Sequence, residues 1–264
     1  SFLDRYYYND EFAEDYILLL CEIATASNYV LSEAASSALF GFVIESLCDD
    51  FEDLQTEAYN RVMSLIINFC RQIPQAERMN KLLQKFGLDT VEKIYGRAER
   101  LRHESLAPCK FSSVEKFVVL SRVTVGADIV ITSTLIKRLL DFSNDAQITI
   151  VGNSRLNEIF GGHSKIKISP VNYQRRGNLI DRILSWVDVL EVVDQEFSSS
   201  LEMRCVLVDT DSRLSQLGVL PLVADENYLF FRSRGDIDIS SKKLSMPELV
   251  NLWADKVFGK STFA

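Results

Sequence analysis

Two rhythms of apolar residues divide this chain. Through the first 105 residues the apolar positions recur every three or four places, the spacing of helices that bury one face. Phe12, Tyr16, Leu19 and Ile23 mark a helix over Glu11–Ala26. Phe40, Val43, Ile44 and Leu47 mark a second, N-capped by Ser32 and running to the acidic pair Asp49-Asp50. Val62, Leu65, Ile66 and Phe69 mark a third over Thr56–Ile73, which Pro74 ends. A fourth covers Glu77–Phe86 and stops at Gly87. A fifth, capped by Asp89 or Thr90, carries Val91, Ile94, Tyr95 and Leu101. No repeat of fixed period is present, so the pattern predicts a small helical bundle and not a solenoid. The Pro- and Ser-containing stretch Glu104–Ser113 closes this region.

Beyond it the rhythm alternates. Phe117-Val118-Val119-Leu120 reads as a buried parallel strand, and Ile129, Ile131, Leu135, Ile136, Leu139 and Leu140 form the apolar face of the helix that follows a short polar turn. Gln147–Val151, Lys165–Ser169, Met203–Val208 and Tyr228–Arg232 read as four further strands. Ser154–Phe160, Asn178–Glu191 and a last helix opened by Pro247 lie between and after them. Alternating strands and helices predict a parallel sheet with crossover helices. The expected organisation is a helical region over 1–108 and an α/β Rossmann-like domain over 109–264.

Composition narrows the partners. The 264 residues are 47% hydrophobic and 25% charged, the values of a globular chain long enough for two domains. The longest uninterrupted apolar candidate, Tyr16–Cys21, is far short of the roughly 18–20 residues that cross a bilayer, so no transmembrane segment is expected. Residues 1–108 hold 10 Lys+Arg against 18 Asp+Glu, while residues 109–264 hold 19 of each, and the whole chain carries a net charge of −8. An acidic half argues against nucleic acid as a partner. The 5 cysteines are far apart and without a CxxC pair, and with only 2 histidines they form no zinc set. Reduced, buried cysteines in a cytoplasmic protein are expected.

Candidate chemistry concentrates at strand ends, where ligands of doubly wound sheets bind. Asp128 follows the first strand and opens the first helix, a position that also suits a cap favoured by the helix dipole. Gly126 stands alone, so GxGxxG is absent. Walker and GxSxG patterns are absent too, which disfavours a dinucleotide, ATP or serine hydrolase site. Arg155, Arg175-Arg176, Arg213, Arg232 and Arg234 follow other strands and suit an anionic ligand, or serve as solvated loop residues. Asp209 and Asp211 read as an acid pair, as a metal site or equally as turn chemistry. His163 reads as a loop residue, and Trp186 and Trp253 as core.

The stretch Arg122-Val-Thr-Val-Gly-Ala-Asp128-Ile-Val-Ile-Thr132 resembles the opening motif R-L-S-S-(I/L/M)-G-D-(V/I)-(V/L)-x-T of the ADP-heptose:lipopolysaccharide heptosyltransferase family of GT-B glycosyltransferases. Asp145–Val151, Asn153–Phe160 and Ile166–Ile168 resemble that family's second strand, short helix and third strand. The resemblance covers roughly 115–260. Ala127 and Thr134 stand where the family has Gly and Pro. It implies the N-terminal, acceptor-binding half of a GT-B fold, with Asp128 as the general base of an inverting transfer from a nucleotide sugar to a hydroxyl of a lipopolysaccharide-like, glycan or lipid-linked acceptor. The acceptor would be held by Arg122, Thr124, Gly126 and Thr132, with Arg155 and Arg213 from other strand ends. No metal and no cofactor are implied. The nucleotide sugar, a co-substrate, would be held mainly by a second domain outside this chain, so these residues alone are expected to be inactive. The location implied is cytoplasmic, extending to the face of the inner membrane. The competing expectation is a non-catalytic, transferase-like interaction module whose acidic helical region docks a protein partner.

Overall fold

The computed structural model describes residues 2–49, 53–103, 114–174, 176–199, 204–233 and 244–260. The boundary stretch 104–113, Arg175, Met203 and Arg234 lie outside the described residues. The chain forms two compact units, one from Ser1–Arg97 with Gln174–Val187, the other from Ala98–Tyr173 with Asp188–Ala264.

The first unit is helical. Its elements are α1 (Phe2–Asn9), α2 (Glu14–Ala24), α3 (Tyr29–Ser37), a π-helical segment Ala38–Ile44, α4 (Ser46–Asp49), α5 (Asp53–Cys70), α6 (Glu77–Lys85) and most of α7 (Val91–His103). Ile17, Cys21, Leu39, Leu47, Tyr59, Met63, Ile66 and Cys70 form its buried interior. Burial pushes the Cys21 thiol up to about 12, so it stays protonated and packs as a small apolar side chain. Ser32, expected as an N-cap, is a buried residue inside α3 and donates to the carbonyl of Ala24. Asn28 is the cap, accepting from Leu31 N–H at 3.2 Å. Both residues precede an apolar run, and register alone separates them. Thr90, one of the two residues expected to cap α7, accepts from Lys93 N–H at 3.3 Å.

Tyr29–Cys48 is one helical run of 20 residues, long and apolar enough by length and composition to cross a bilayer; its most apolar 18-residue window has mean hydropathy 1.4, and 44% of that window is buried within the fold. This apolar run exceeds the expected longest one, because the pairs Ser32-Glu33, Ser36-Ser37 and Glu45-Ser46 interrupt it in sequence without ending the helix. The unit also takes in the start of α11 (Leu179–Ser198), where Leu179 N–H donates to Ser36 Oγ at 3.0 Å and Trp186 meets Phe40 edge-on at 6.2 Å.

The second unit is an α/β unit of the Rossmann-like kind. Five parallel strands, β1 (Lys116–Leu120), β2 (Gln147–Gly152), β3 (Ile166–Pro170), β4 (Cys205–Asp209) and β5 (Tyr228–Phe230), lie in the order β3-β2-β1-β4-β5. After β1 the chain first builds outward through β2 and β3, then returns to the other side of β1 with β4. The order therefore reverses between β1 and β4, where Leu120 pairs with Asp209.

Alternate residues explain the unbroken apolar look of the strands. Phe117, Val119, Ile148, Ile150, Val206 and Val208 join a core with α9 (Ser133–Phe142) and α12 (Met246–Phe258). Lys116 and Thr149 point to the opposite face, where the Lys116 ammonium donates at 2.9 Å both to the Glu196 carboxylate of α11 and to its backbone carbonyl. Lys167 reaches the same carboxylate at 2.9 Å. Burial works to raise the Glu196 carboxyl, but these two lysines hold it below the usual carboxylate range. Ser245 and Glu248 form a reciprocal capping box ahead of α12, with Pro247 in its first turn as the sequence predicts.

Candidate functional site

The polar turn after β1 is built around Asp128. Val123 takes a left-handed backbone, φ 73°, which is costly for a β-branched residue. Thr124 then opens a short helix, α8 (Val125–Ala127), and Asp128 N–H donates to Thr124 O at 2.9 Å. Asp128–Thr132 follows as a π-helical segment running into α9; such segments recur at functional sites. The Asp128 side chain is 1% exposed and accepts three hydrogen bonds. Ser121 Oγ donates to Oδ2 at 2.7 Å, Arg122 N–H to Oδ1 at 2.7 Å, and Thr132 Oγ1 to Oδ1 at 2.8 Å. Its backbone partner among these precedes the helix, so the carboxylate braces the β1 turn and is no ordinary helix cap. A carboxylate has about four acceptor positions, so one on Oδ2 is left beyond these three bonds.

Asp128 also lines a cleft of about 160 Å³ beyond the ends of β1 and β2, together with Ser121, Gly152, Asn153, Arg155 and Tyr173. Whole-ligand pockets usually run to roughly 300–1,000 Å³, so this cleft has room for part of a ligand. Gly152 lets Leu156 and Ser121 pack closely against the end of β2 in the cleft wall. A Cβ there would stand 2.5 Å from Leu156 Cδ1 and 2.6 Å from Ser121 Cβ.

The residues expected around Asp128 separate into three groups. Arg155 lines the cleft, and its backbone N–H donates to Asn153 Oδ1 at 3.0 Å. Thr132 and Arg122 are occupied with the protein itself. Thr132 is fully buried against Asp128, and the Arg122 guanidinium donates to Thr210 O at 2.8 Å, to Asp211 O, and to Ser233 Oγ at 3.4 Å. Thr124 and Gly126 are exposed on the turn, and Arg213 sits half-buried in a 3₁₀ turn after β4; these three are not among the cleft-lining residues. Ala127 does not line the cleft either, so its methyl group does not fill that space. A Cβ at Gly126 would meet no atom within 4 Å.

A second polar cluster closes the end of β4, next to β1. Asp209 is 0% exposed, and its carboxylate accepts from Ser212 N–H at 2.7 Å and from the hydroxyls of Ser215 and Tyr228. Burial pushes the Asp209 carboxyl up to about 6, with the negative charge of Asp211 adding to the rise and the three donors opposing it. Asp211 is paired with Arg122 at 3.5 Å and receives the Ser233 hydroxyl. The loop that follows β4 is strained: Asp211, Gln216 and Leu217 all have left-handed backbones. Thr210 Oγ1 donates to Leu120 O at 2.7 Å, and the Ser212 hydroxyl donates to Ser121 O, so the loop is stitched to the base of the Asp128 turn. The two acids expected as a pair thus have separate partners, and among the described residues no group of three or more His, Cys, Asp or Glu could hold a metal ion.

Sequence patterns did not reveal Gly152, Asn153 or Tyr173 as parts of this region, and they marked Asp209 as a strand-end acid without its partners Ser215 and Tyr228. A glycine closing an otherwise β-branched strand was the one available signal, since such a residue often marks a close approach. Compared with known proteins, the chain matches no family model, and no curated protein or solved structure shows significant similarity to it.

Proposed function

We propose that the α/β unit binds the acceptor of an inverting glycosyl transfer of the GT-B kind, with Asp128 as general base. The observation that supports this most is the position of Asp128, fixed by three donors in the wall of a cleft at the carboxyl edge of the sheet. In the proposed reaction an acceptor hydroxyl in the cleft would form a new bond to the anomeric carbon of a nucleotide sugar. The bond from that carbon to the diphosphate would break, and the hydroxyl proton would pass to Asp128 Oδ2. A base fixed in this way loses little freedom in reaching its proton. Arg155 would meet negative charge on the acceptor, and Tyr173 would offer an aromatic face to a sugar ring. The small size of the cleft fits the reacting part of an acceptor better than a whole sugar nucleotide.

A second reading, a non-catalytic transferase-like module with an acidic docking region, is favoured by a different fact. Asp128 is 1% exposed and already serves the turn.

One experiment separates the two. Neutral and phosphorylated oligosaccharides are titrated into the isotope-labelled protein while the amides of Gly152, Asn153, Arg155 and Tyr173 are followed, and transfer by the native polypeptide is assayed with and without Asp128→Asn. Shifts confined to the cleft, with binding kept and transfer lost in the variant, are expected. Absence of any saccharide shift at the cleft, or wild-type transfer by the variant, would overturn the assignment.

A further inference from the structure

We propose that Asp209 is a proton-responsive positioning residue, whose ionisation is passed through the β4 loop to the turn holding Asp128, so that the cleft changes shape with pH. The functional meaning of this coupling rests on the acceptor-site reading, but its structural content stands on the bonding pattern.

Two hydroxyls, from Ser215 and Tyr228, converge on Oδ2 of Asp209, and Ser212 N–H meets Oδ1. All three are donors to an anion. A proton on Oδ2 takes the place of one of the two hydroxyl bonds, and one on the open position of Oδ1 leaves the three donors facing a neutral acid, a poorer acceptor than the anion; in either case the bonds that hold the loop weaken. No water-exposed position is available to absorb the change, because the carboxyl is fully buried.

Ser212 and Ser215 lie within the loop that holds Asp211, Gln216 and Leu217 in left-handed conformations, and their bonds to Asp209 help to hold it there. Loosening the loop reaches Asp128 along two bonded routes. The Ser212 hydroxyl donates to Ser121 O, and Ser121 Oγ donates to Asp128 Oδ2 at 2.7 Å. The Arg122 guanidinium is bound to Thr210 O at 2.8 Å, and the same residue's backbone N–H is bound to Asp128 Oδ1 at 2.7 Å.

The charged and titratable groups around Asp209 are Asp211 and Arg122 of the same polar cluster and Tyr228 at the start of β5. Burial and the negative charge of Asp211 raise the Asp209 carboxyl to about 6, against the pull of its donors, which puts the transition close to neutrality.

A pH titration of backbone amide resonances, from about pH 5 to about pH 8, reads the coupling directly. In the wild-type protein the amides of Ser212, Arg122 and Val123 should shift with a common midpoint near 6. In Asp209→Asn the inflection should vanish at Arg122 and Val123. Tyr228→Phe removes one donor from the anion and should move the shared midpoint upward, which keeps the test decisive if the Asn variant does not fold. An inflection confined to Ser212, or one at Arg122 that neither variant moves, would overturn the proposal. Saccharide titration at the alkaline end of the same range tests the acceptor-site reading separately, so each can fail without the other.

Discussion

Asp128 and Asp209 lie at the carboxyl edge of neighbouring strands, and each carboxylate receives three hydrogen bonds from one backbone amide and two hydroxyls. They nevertheless differ in kind. Each keeps one acceptor position beyond its three bonds, but that of Asp128 lies in a residue bordering a cleft, whereas Asp209 is sealed and its carboxyl is pushed up to about 6. Location at a strand end and the number of donors are therefore poor guides to chemistry. Access to an opening separates the residue suited to meeting a ligand from the one suited to holding a loop.

The comparison breaks first at Asp209. Asp209→Ala leaves Ser212 N–H and two hydroxyls without their acceptor in a buried place, and should cost about 4 kcal/mol in chemical denaturation. A loss below about 1 kcal/mol would show that the cluster does not hold the loop.

The pH dependence comes next. The Asp209 carboxyl rises on folding from 3.8 to about 6, so this group's contribution to stability is full below the unfolded value and is lost as pH rises through 6. The full span is at most about 3 kcal/mol, because each tenfold change in proton affinity is worth ~1.4 kcal/mol. Other carboxyls, Glu196 among them, titrate in the opposite sense. The quantity to measure is therefore the difference between wild type and Asp209→Asn from about pH 4 to about pH 7, which should narrow toward the alkaline end.

Gly152→Ala tests the other side of the comparison, the opening itself. Its methyl group would meet Leu156 and Ser121, at a cost of about 2 kcal/mol, and should abolish saccharide-induced shifts at the cleft. The smallest effect on stability is expected at Asp128→Asn, about 1 kcal/mol, because the amide keeps one acceptor and the Ser121 hydroxyl can turn to accept. Calorimetry and the transfer assay on the same variant should then part company, with stability nearly kept and transfer lost.

Much of the architecture could be read from apolar spacing, and little of the site's detail could. Phe117–Leu120 followed by the Ile131-Leu135-Leu139 stripe announced β1 and α9, because two-residue and 3.6-residue rhythms are local properties. Ends of elements were less well marked. β5 stops at Phe230, two residues before its expected end, and α11 continues to Ser198 where Glu191 was expected to close it. Nothing in the sequence distinguishes Thr132, consumed by Asp128, from a ligand-binding threonine four residues along a helix. The same holds for Arg122, whose acceptors Thr210 O and Asp211 O lie nearly ninety positions away in the chain. Partners brought together only by strand pairing carry no local signature, whereas Asp209, with Ser212 and Ser215 three and six places on, was visible as a strand-end acid.

Strand β3 has a further consequence, for association between copies. It is an edge of the five-stranded sheet, Lys165 stands just before it, Lys167 lies within it and Pro170 ends it. Proline has no amide hydrogen to offer an incoming strand, and lysines make stacking a second copy along the same edge costly in desolvation and repulsion. The opposite edge, β5, spans just three residues, Tyr228–Phe230. The sheet is thus protected against growth at both flanks, and high concentrations of the folded protein should not seed fibrils through this unit.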